Sequence, residues 1–126
     1  MFKKRGGRIG DSPVIGAGTY ADNNSCAVSC TGHGEYFIRH AVAFDVCARY
    51  KYLKESVEKA ADYIIHTELN TNAGNGGLIA VDKLGNIAMP YNSGGMFRGF
   101  LYKEKGSPEI KKGCGIGKKI VVVGEK

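Results

Sequence analysis

The sequence predicts an α+β protein built on an antiparallel sheet. Two strand signals come first, helix signals follow as one block, and further strand signals come after them. Runs of strands and runs of helices, rather than strict alternation, favour layers in which helices pack against an antiparallel sheet. No internal repeat and no linker interrupts the chain, so we expect residues 1–126 to form a single domain.

The first two strands are predicted to form a hairpin. Val14–Tyr20 and Cys26–Cys30 are short apolar runs, and the segment Ala21-Asp22-Asn23-Asn24 between them contains residues that turns prefer. A glycine-bearing elbow, Thr31-Gly32-His33-Gly34, then leads from the second strand into the helices.

Two helices are predicted after this elbow. The first is a long helix with one apolar stripe at helical spacing, formed by Phe37, Ala41, Phe44 and Ala48. The second begins at Ser56, which is a preferred N-cap residue, with an acidic residue in its first turn. Its predicted buried stripe consists of Val57, Ala60, Ala61 and Ile64.

A second hairpin is predicted after the polar, glycine-rich loop Asn70–Gly77. Its strands are Leu78–Val81 and Asn86–Met89, with the turn Asp82-Lys83-Leu84-Gly85 between them. A further glycine-rich turn, Asn92-Ser93-Gly94-Gly95, follows this hairpin.

The C-terminal part gives weaker signals. The last predicted strand is Ile120–Val123, and the Lys- and Gly-rich stretch Lys103–Lys119 predicts no element. We expect both ends of the chain, residues 1–6 and 103–126, to be mobile.

The positive charge is concentrated at the two ends of the chain. The formal net charge is +6, but residues 1–8 carry four basic side chains without an acid, and residues 103–126 carry seven Lys against three Glu. The segment between them is therefore slightly acidic, and no basic helix crosses it, so we expect no nucleic-acid partner. No apolar run approaches the length of a membrane span, and the start lacks a secretory core, so we expect no membrane association and a cytoplasmic location.

The cysteines raise the question of a metal site. Cys26, Cys30 and His33 have a spacing that suggests zinc, but zinc ribbons and fingers need a second ligand pair at tight spacing, and none follows. Cys26 and Cys30 also lie in an apolar segment, where a reduced cysteine acts as a small core residue. We therefore predict no metal site and no cofactor.

Two short segments contain the candidate site residues, and the first is Gly7–Pro13. Arg8 and Asp11 are three residues apart with a glycine between them. A guanidinium binds a carboxylate through two hydrogen bonds, and an aspartate accepts hydrogen bonds from an ammonium group. Together they are suited to both charged ends of an α-amino acid, although a surface salt bridge between the two is the simpler interpretation.

The second segment, Cys30-Thr31-Gly32-His33-Gly34-Glu35, runs from a strand into a helix. In Thr31-Gly32-His33-Gly34, glycines let the backbone approach a ligand, and backbone N–H groups at a helix start favour an anion. A Thr hydroxyl beside a Gly N–H is suited to be an oxyanion hole for amide hydrolysis. A tight turn with Thr31 as a cap is the alternative, and His33 is more often a structural hydrogen-bonding residue than a general base.

The combination of these segments, in this order, resembles the β-subunit of plant-type L-asparaginases / isoaspartyl peptidases. These are N-terminal-nucleophile hydrolases of the asparaginase-2 family. The segments that carry the resemblance are Gly7–Pro13, Ile15–Asn23, Ala27–Arg39, Glu58–Ile65, Gly76–Asp82, Gly85–Pro90 and Gly95–Gly99. The resemblance implies part of an αββα sandwich, with an antiparallel sheet and helices on one face.

The resemblance also implies a role for each site residue. Arg8 would hold the α-carboxylate of the substrate and Asp11 its α-amino group. Thr31 and Gly32 would form the oxyanion hole, and Gly34 would contact the substrate through its backbone. The implied substrates are L-asparagine, which is hydrolysed to L-aspartate and ammonia, and β-aspartyl (isoaspartyl) dipeptides.

The nucleophile implied by the resemblance is a threonine at the start of the mature β-subunit, which self-cleavage sets free. Its own α-amine serves as the base. Since that threonine would precede Met1, we expect this polypeptide alone to be inactive and to need an α-subunit. The complete enzyme would be a dimer of αβ units.

Two alternatives stay open at this point. A glycosylasparaginase shares the phrase Gly10-Asp11-Ser12-Pro13. The other alternative is a non-catalytic amino-acid-binding or regulatory module. It would use Arg8 and Asp11 to bind an amino acid and would not hydrolyse it.

Overall fold

The computed structural model describes residues 5–115 and 121–125 of the chain. Two compact units, Met1–Ser93 and Gly94–Lys126, divide the chain. The first unit contains β1 (Thr19–Ala21), β2 (Cys26–Gly32), α1 (Gly34–Arg39), α2 (Val42–Tyr52), α3 (Val57–Tyr63), a π-helical segment (Ile64–Leu69), β3 (Gly76–Asp82) and β4 (Ile87–Ala88). The second contains β5 (Arg98–Lys103), β6 (Ile110–Gly115) and β7 (Val121–Glu125).

The first unit is an antiparallel sheet with helices on one face. Its strands lie in the order β1-β2-β3-β4, and each pairs antiparallel with its neighbour. Burial alternates along β2, so that Cys26, Val28 and Cys30 face the core while Ser29 and Thr31 are exposed. The predicted α+β class is thus confirmed, and the αββα sandwich stays a prediction.

The core lies between this sheet and the helices. Apolar side chains from β2, β3 and every helical segment form one buried cluster. Its largest fully buried members are Phe37, Ile64, Ile65, Leu69 and Leu78. Because the cluster joins α1 to the ends of β2 and β3, it fixes the helices against the end of the sheet where Thr31 and Gly32 lie.

The first predicted hairpin is present, but its first strand is much shorter than predicted. The strand β1 covers only Thr19–Ala21. The preceding residues curl back on themselves, with the N–H of Val14 donating to the carbonyl of Asp11 at 2.9 Å. A Cβ atom at Gly18 would collide with the backbone of Asp11. The glycines in this segment therefore support a turn rather than the predicted strand.

The predicted long helix is wrong, because the chain breaks between α1 and α2. Ala41 adopts the left-handed conformation with φ of 45°. The first N–H groups of α2 bond to the loop before β1, with Ala43 donating to the carbonyl of Ala17 at 3.0 Å. This break changes the helical phase, so Ala41 and Phe44 are exposed instead of buried, and only Phe37 of the predicted stripe is in the core. The residues of α2 that are buried are Val42, Ala43, Val46 and Cys47.

The second predicted helix is confirmed. Ser56 caps α3, and its side chain accepts a hydrogen bond from the N–H of Lys59 at 3.2 Å. All four residues of its predicted stripe are buried: Val57, Ala60, Ala61 and Ile64. The helix then continues into the π-helical segment Ile64–Leu69, which no sequence signal predicted.

The second predicted hairpin is confirmed and is part of the same sheet. Strands β3 and β4 pair antiparallel, with Val81 opposite Ile87. Asp82 organises the turn because its carboxylate accepts hydrogen bonds from the N–H groups of Leu84 and Asn86, each at 2.9 Å.

The second unit is a three-stranded antiparallel sheet in the order β5-β6-β7. Strand β7 overlaps the predicted strand at Ile120–Val123, of which Ile120 lies outside the described residues. Strand β6 falls in the stretch for which no element was predicted. The single domain and the mobile ends stay predictions.

Within the described part of the chain, no helix is both long enough and apolar enough to span a bilayer.

Candidate functional site

A small cavity brings together the site residues predicted from two separate segments. Its lining consists of Arg8, Gly10, Asp11, Ser12, Thr31, Gly32 and Gly34. All five predicted site residues are in this set. The cavity has a volume of about 20 Å³, which is close to the space that one water molecule needs. It is therefore large enough for one charged end group of a ligand and too small to enclose a whole amino acid.

Asp11 is the acidic residue in the lining of the cavity, and it is buried. Only 4% of its surface is exposed. Its backbone carbonyl accepts the N–H of Val14 at 2.9 Å, and Gly18 packs against the same backbone. The turn after Asp11 thus fixes the carboxylate in a partly dehydrated position, where its attraction to a cation is stronger than in water.

Gly34 lies directly against Asp11. It is the first residue of α1, and a Cβ atom there would be 3.2 Å from Oδ1 of Asp11 and 3.0 Å from its backbone nitrogen. Such distances are tighter than ordinary van der Waals contacts, so the absence of a side chain at Gly34 permits this packing. The backbone of residue 34 is thereby next to the carboxylate.

Thr31 and Gly32 form the last two positions of β2. They pair with Gly77 and Gly76 at the start of β3, and Thr31 is exposed. Gly32 has φ of 144°, and a Cβ atom there would collide with the carbonyl oxygen of Asn75. Position 32 therefore requires glycine for two reasons, namely its backbone conformation and the close approach of β3 and the residue before it.

Arg8 forms an ion pair that the sequence argument did not consider. One of its terminal nitrogens lies 3.5 Å from Oε2 of Glu35, and both side chains are about half exposed. A surface pair of this kind contributes about 0–1 kcal/mol to stability. The guanidinium is therefore held near the cavity by a weak interaction that a ligand carboxylate can replace.

The cysteines near the site are structural. Burial, followed by the negative charge of Asp11, raises the pKa of the Cys30 thiol well above its ordinary range. The thiol therefore stays protonated at neutral pH, which makes it a poor nucleophile and a poor metal ligand. The sulfur of Cys26 lies 2.7 Å from that of Cys47 in the core. Among residues 5–115 and 121–125, no group of three or more His, Cys, Asp or Glu side chains is arranged to hold a metal ion.

His33 lies beside the cavity without lining it. It is the N-cap residue of α1, its side chain makes no capping hydrogen bond, and its ring centroid is 6.3 Å from that of Tyr36.

Three residues near the cavity were not selected from the sequence. Gly10 and Ser12 line it, and Glu35 pairs with Arg8. All three lie inside the two segments that contain the predicted site. Gly10 and Ser12 are the neighbours of Asp11 in the chain, which could have suggested them. The charge of Glu35 is opposite to that of Arg8, but only the fold brings these two residues together.

A comparison with protein families matches residues 1–110 to the family described as Asparaginase. The chain is 50% identical over 102 residues to the isoaspartyl peptidase of Salmonella typhimurium, and the match covers 81% of this chain and 33% of that protein. It is 45% identical over 116 residues to the isoaspartyl peptidase of Escherichia coli, covering 84% of this chain and 36% of that protein.

A plant protein is similar to the same degree. The probable isoaspartyl peptidase/L-asparaginase 2 of Arabidopsis thaliana is 50% identical over 99 residues, which is 79% of this chain and 30% of that protein. The chain thus spans about a third of the length of these relatives.

Proposed function

Because the chain belongs to the asparaginase family, with residues 1–110 matching the family model, we propose that it forms the aspartyl-binding part of an amide hydrolase. The reaction is hydrolysis of L-asparagine to L-aspartate and ammonia, or cleavage of the isopeptide bond of β-aspartyl peptides. Relatives at 45–50% identity are named isoaspartyl peptidase or isoaspartyl peptidase/L-asparaginase. The observation that carries the proposal is the single cavity that Arg8, Asp11, Thr31, Gly32 and Gly34 share.

In this proposal Asp11 and Arg8 hold the two charged ends of the aspartyl group. The buried carboxylate of Asp11 accepts hydrogen bonds from the α-ammonium group, which fits in a space of about 20 Å³. The exposed guanidinium of Arg8 leaves Glu35 and binds the α-carboxylate through two hydrogen bonds. Both substrate classes present these same two groups, so one grip serves both.

Thr31 and Gly32 are proposed to stabilise the oxyanion. When the nucleophile attacks the β-carbonyl carbon, the carbonyl oxygen gains negative charge, and preorganised donors lower the energy of that state. Thr31 and Gly32 lie at the same end of β2 and line the same cavity as the aspartyl grip; the donors in this proposal are the hydroxyl of Thr31 and the N–H of Gly32. The bond between the β-carbonyl carbon and the amide nitrogen then breaks, and the nitrogen takes the proton that the base removed from the nucleophile and leaves as ammonia or as the amine of a peptide. Water hydrolyses the ester that remains, which releases L-aspartate and restores the hydroxyl of the nucleophile.

The nucleophile in this proposal is a threonine other than Thr31, with its own α-amine as the base. Ser12 and Thr31 lie inside the chain, so their nitrogens are in peptide bonds and neither residue has a free amine that could activate its hydroxyl. The α-subunit, the dimer of αβ units and the inactivity of the 126-residue polypeptide by itself stay parts of the same proposal.

The proposal is tested by binding and turnover in one protein. Isothermal titration with L-aspartate measures the grip without requiring a nucleophile, and ammonia release from L-asparagine and amine release from a β-aspartyl dipeptide measure turnover. Asp11→Asn and Arg8→Gln are each expected to weaken L-aspartate binding by about 30-fold or more, because each leaves one charged end of the ligand unpaired.

Arg39→Gln is the matched control. Arg39 is an exposed residue in the last turn of α1 and does not line the cavity, so its variant is expected to bind as the unchanged protein does. Unaltered binding in the Asp11 and Arg8 variants would contradict the proposed grip. Tight binding of L-aspartate without turnover, in a protein that also contains the threonine segment, would favour the non-catalytic module.

A further inference from the structure

The segment Gly74–Gly76 sets the position of the candidate oxyanion hole. The carbonyl oxygen of Asn75 accepts the N–H of His33 at 2.9 Å, immediately after Gly32. Gly32 and Gly76 are register partners, and a Cβ atom at Gly32 would be 2.6 Å from Cα of Gly76. The backbones of Gly32 and Gly76 are therefore in van der Waals contact. Because no space separates them, a displacement of Gly74–Gly76 also displaces Thr31 and Gly32.

The side chain of Asn92 fixes this segment on both sides of Asn75. Its Oδ1 accepts the N–H of Gly76 at 2.8 Å, and its Nδ2 donates to the carbonyl of Gly74 at 2.9 Å. The same Nδ2 is 3.3 Å from the carbonyl oxygen of Ile65 in the π-helical segment. One amide thus joins the loop to the helical layer, using its acceptor and its donor at the same time.

The backbone of Asn92 is held independently of its side chain. Its N–H donates to the carbonyl of Gly76 at 2.9 Å, and the N–H of Leu78 donates to the carbonyl of Pro90 at 3.0 Å. Gly77 also forms a bridge with Tyr91. The chain from Pro90 to Asn92 therefore runs along the start of β3, and a substitution of the Asn92 side chain releases Gly74 and Gly76 without releasing this pairing.

We propose that Asn92 is a positioning residue for the oxyanion hole, acting through Gly74–Gly76 on Thr31 and Gly32. This inference rests on the proposed hydrolase function. Asn92 does not line the cavity and does not act on the substrate itself. Because Asn92 bonds to the segment beside Gly32, while Arg8 and Asp11 belong to a separate segment before β1, loss of the Asn92 side chain weakens catalysis and leaves ground-state binding in place.

The experiment is steady-state kinetics of the whole enzyme with Asn92→Ala and Asn92→Asp, together with L-aspartate titration. The Ala variant removes all four hydrogen bonds of the side chain, which join it to Gly76, Gly74, Ile65 and the side chain of Asn70. The Asp variant keeps the shape and the acceptor for Gly76, but places a carboxylate against the carbonyl oxygens of Gly74 and Ile65. We expect kcat to fall about 10- to 100-fold in both, since sub-ångström misplacement of a catalytic group has effects of this order. The KM and the Kd for L-aspartate are expected to stay within about threefold of the unchanged protein, as for loss of an interaction made in the transition state.

Asn86→Ala is the matched control. Its side chain also supports a tight turn, with Nδ2 donating to Oδ2 of Asp82 at 2.8 Å. It lies at the opposite end of β3, about 20 Å from Gly76 at the usual rise per residue. A loss of melting temperature similar to that of the Asn92 variants, with unchanged kcat, is expected for this control.

Each outcome decides the inference. An unchanged kcat in both Asn92 variants overturns it, as does an equal loss of kcat in Asn86→Ala, because stability alone then explains the effect. If one Asn92 variant does not fold, the kcat of the other decides. Absence of turnover in the unchanged whole enzyme, by contrast, is a failure of the proposed function and not of the role of Asn92.

Discussion

At the scale of single residues, the candidate site depends on glycines at which a side chain would collide with a neighbouring segment or crowd it. Gly18 and Gly34 both pack against Asp11, one against its backbone and the other against its carboxylate. Gly32 is closed in by Asn75 and has a backbone conformation that favours glycine. The sequence indicated Gly32 and Gly34 as candidate site residues and placed Gly18 in a predicted strand, whereas the structure gives each of them a specific contact.

Gly34→Ala is expected to weaken L-aspartate binding about tenfold. The new methyl group would be 3.2 Å from Oδ1 of Asp11, so the carboxylate must shift or rotate, and it no longer meets the α-ammonium group at the best distance. Titration with L-aspartate measures the effect. Gly94→Ala is the control, because an added Cβ atom at Gly94 has no atom within 4 Å. Equal affinities in the two variants would show that Gly34 does not set the position of Asp11.

At the scale of elements, the break between α1 and α2 is the main departure from the predicted architecture. The apolar residues on both sides of it have helical spacing, and no proline or glycine marks the break. Ala41 nevertheless takes the left-handed conformation, because the first turn of α2 bonds to the carbonyls of Gly16 and Ala17. Those tertiary hydrogen bonds compensate for a conformation that costs an L-residue about 1–2 kcal/mol.

Ala41→Gly is expected to raise the free energy of unfolding by about 1 kcal/mol. Glycine adopts the left-handed conformation without the steric cost, and this gain exceeds its larger entropy loss on folding. Urea denaturation measures the difference. In Ala48→Gly, which changes a half-buried position within α2, the same substitution is expected to lower the free energy of unfolding by about 1 kcal/mol. A loss of stability in both variants would argue that one continuous helix spans residue 41.

At the scale of the whole molecule, stability at high pH depends on the buried thiol of Cys30. Burial and the charge of Asp11 raise the pKa of Cys30 above its ordinary value of 9.0. In the pair of Cys26 and Cys47, the shared hydrogen bond raises the pKa of Cys26 and lowers that of Cys47, so the two effects oppose each other. At Cys30 the folded chain keeps a proton that the unfolded chain releases, and the stability from this source is complete below pH 9 and is lost as the pH rises further.

Cys30→Ala is expected to make the loss of stability above pH 9 less steep. One buried thiol contributes a slope of about 1.4 kcal/mol per pH unit, which the variant no longer has. Denaturation curves between pH 8 and pH 10.5 measure the slope, whatever the stability of the variant at neutral pH. Cys114→Ala is the control, since that thiol is exposed. An identical slope in the unchanged protein and in Cys30→Ala would mean that Cys30 ionises in the folded state.

The sequence by itself determined those features that depend on residues close together in the chain. The cap at Ser56, the stripe of α3 and the hairpin around Asp82 follow from local spacing and turn chemistry, and all three are present. The two motif segments also contain the five predicted site residues, which the fold brings to one cavity. The sequence also indicated the family to which the chain belongs.

Only the tertiary structure decided the features that depend on distant partners. Strand β6 pairs with its neighbours β5 and β7, but its sequence has no apolar alternation that predicts a strand. The break at Ala41 arises from hydrogen bonds with Gly16 and Ala17, far earlier in the chain, which no local pattern encodes. In the same way, Arg8 meets Glu35, and Asn92 reaches the loop that supports Gly32, only after the sheet has formed. Such contacts form only when folding closes the chain between them, so their geometry belongs to the fold and not to any one segment.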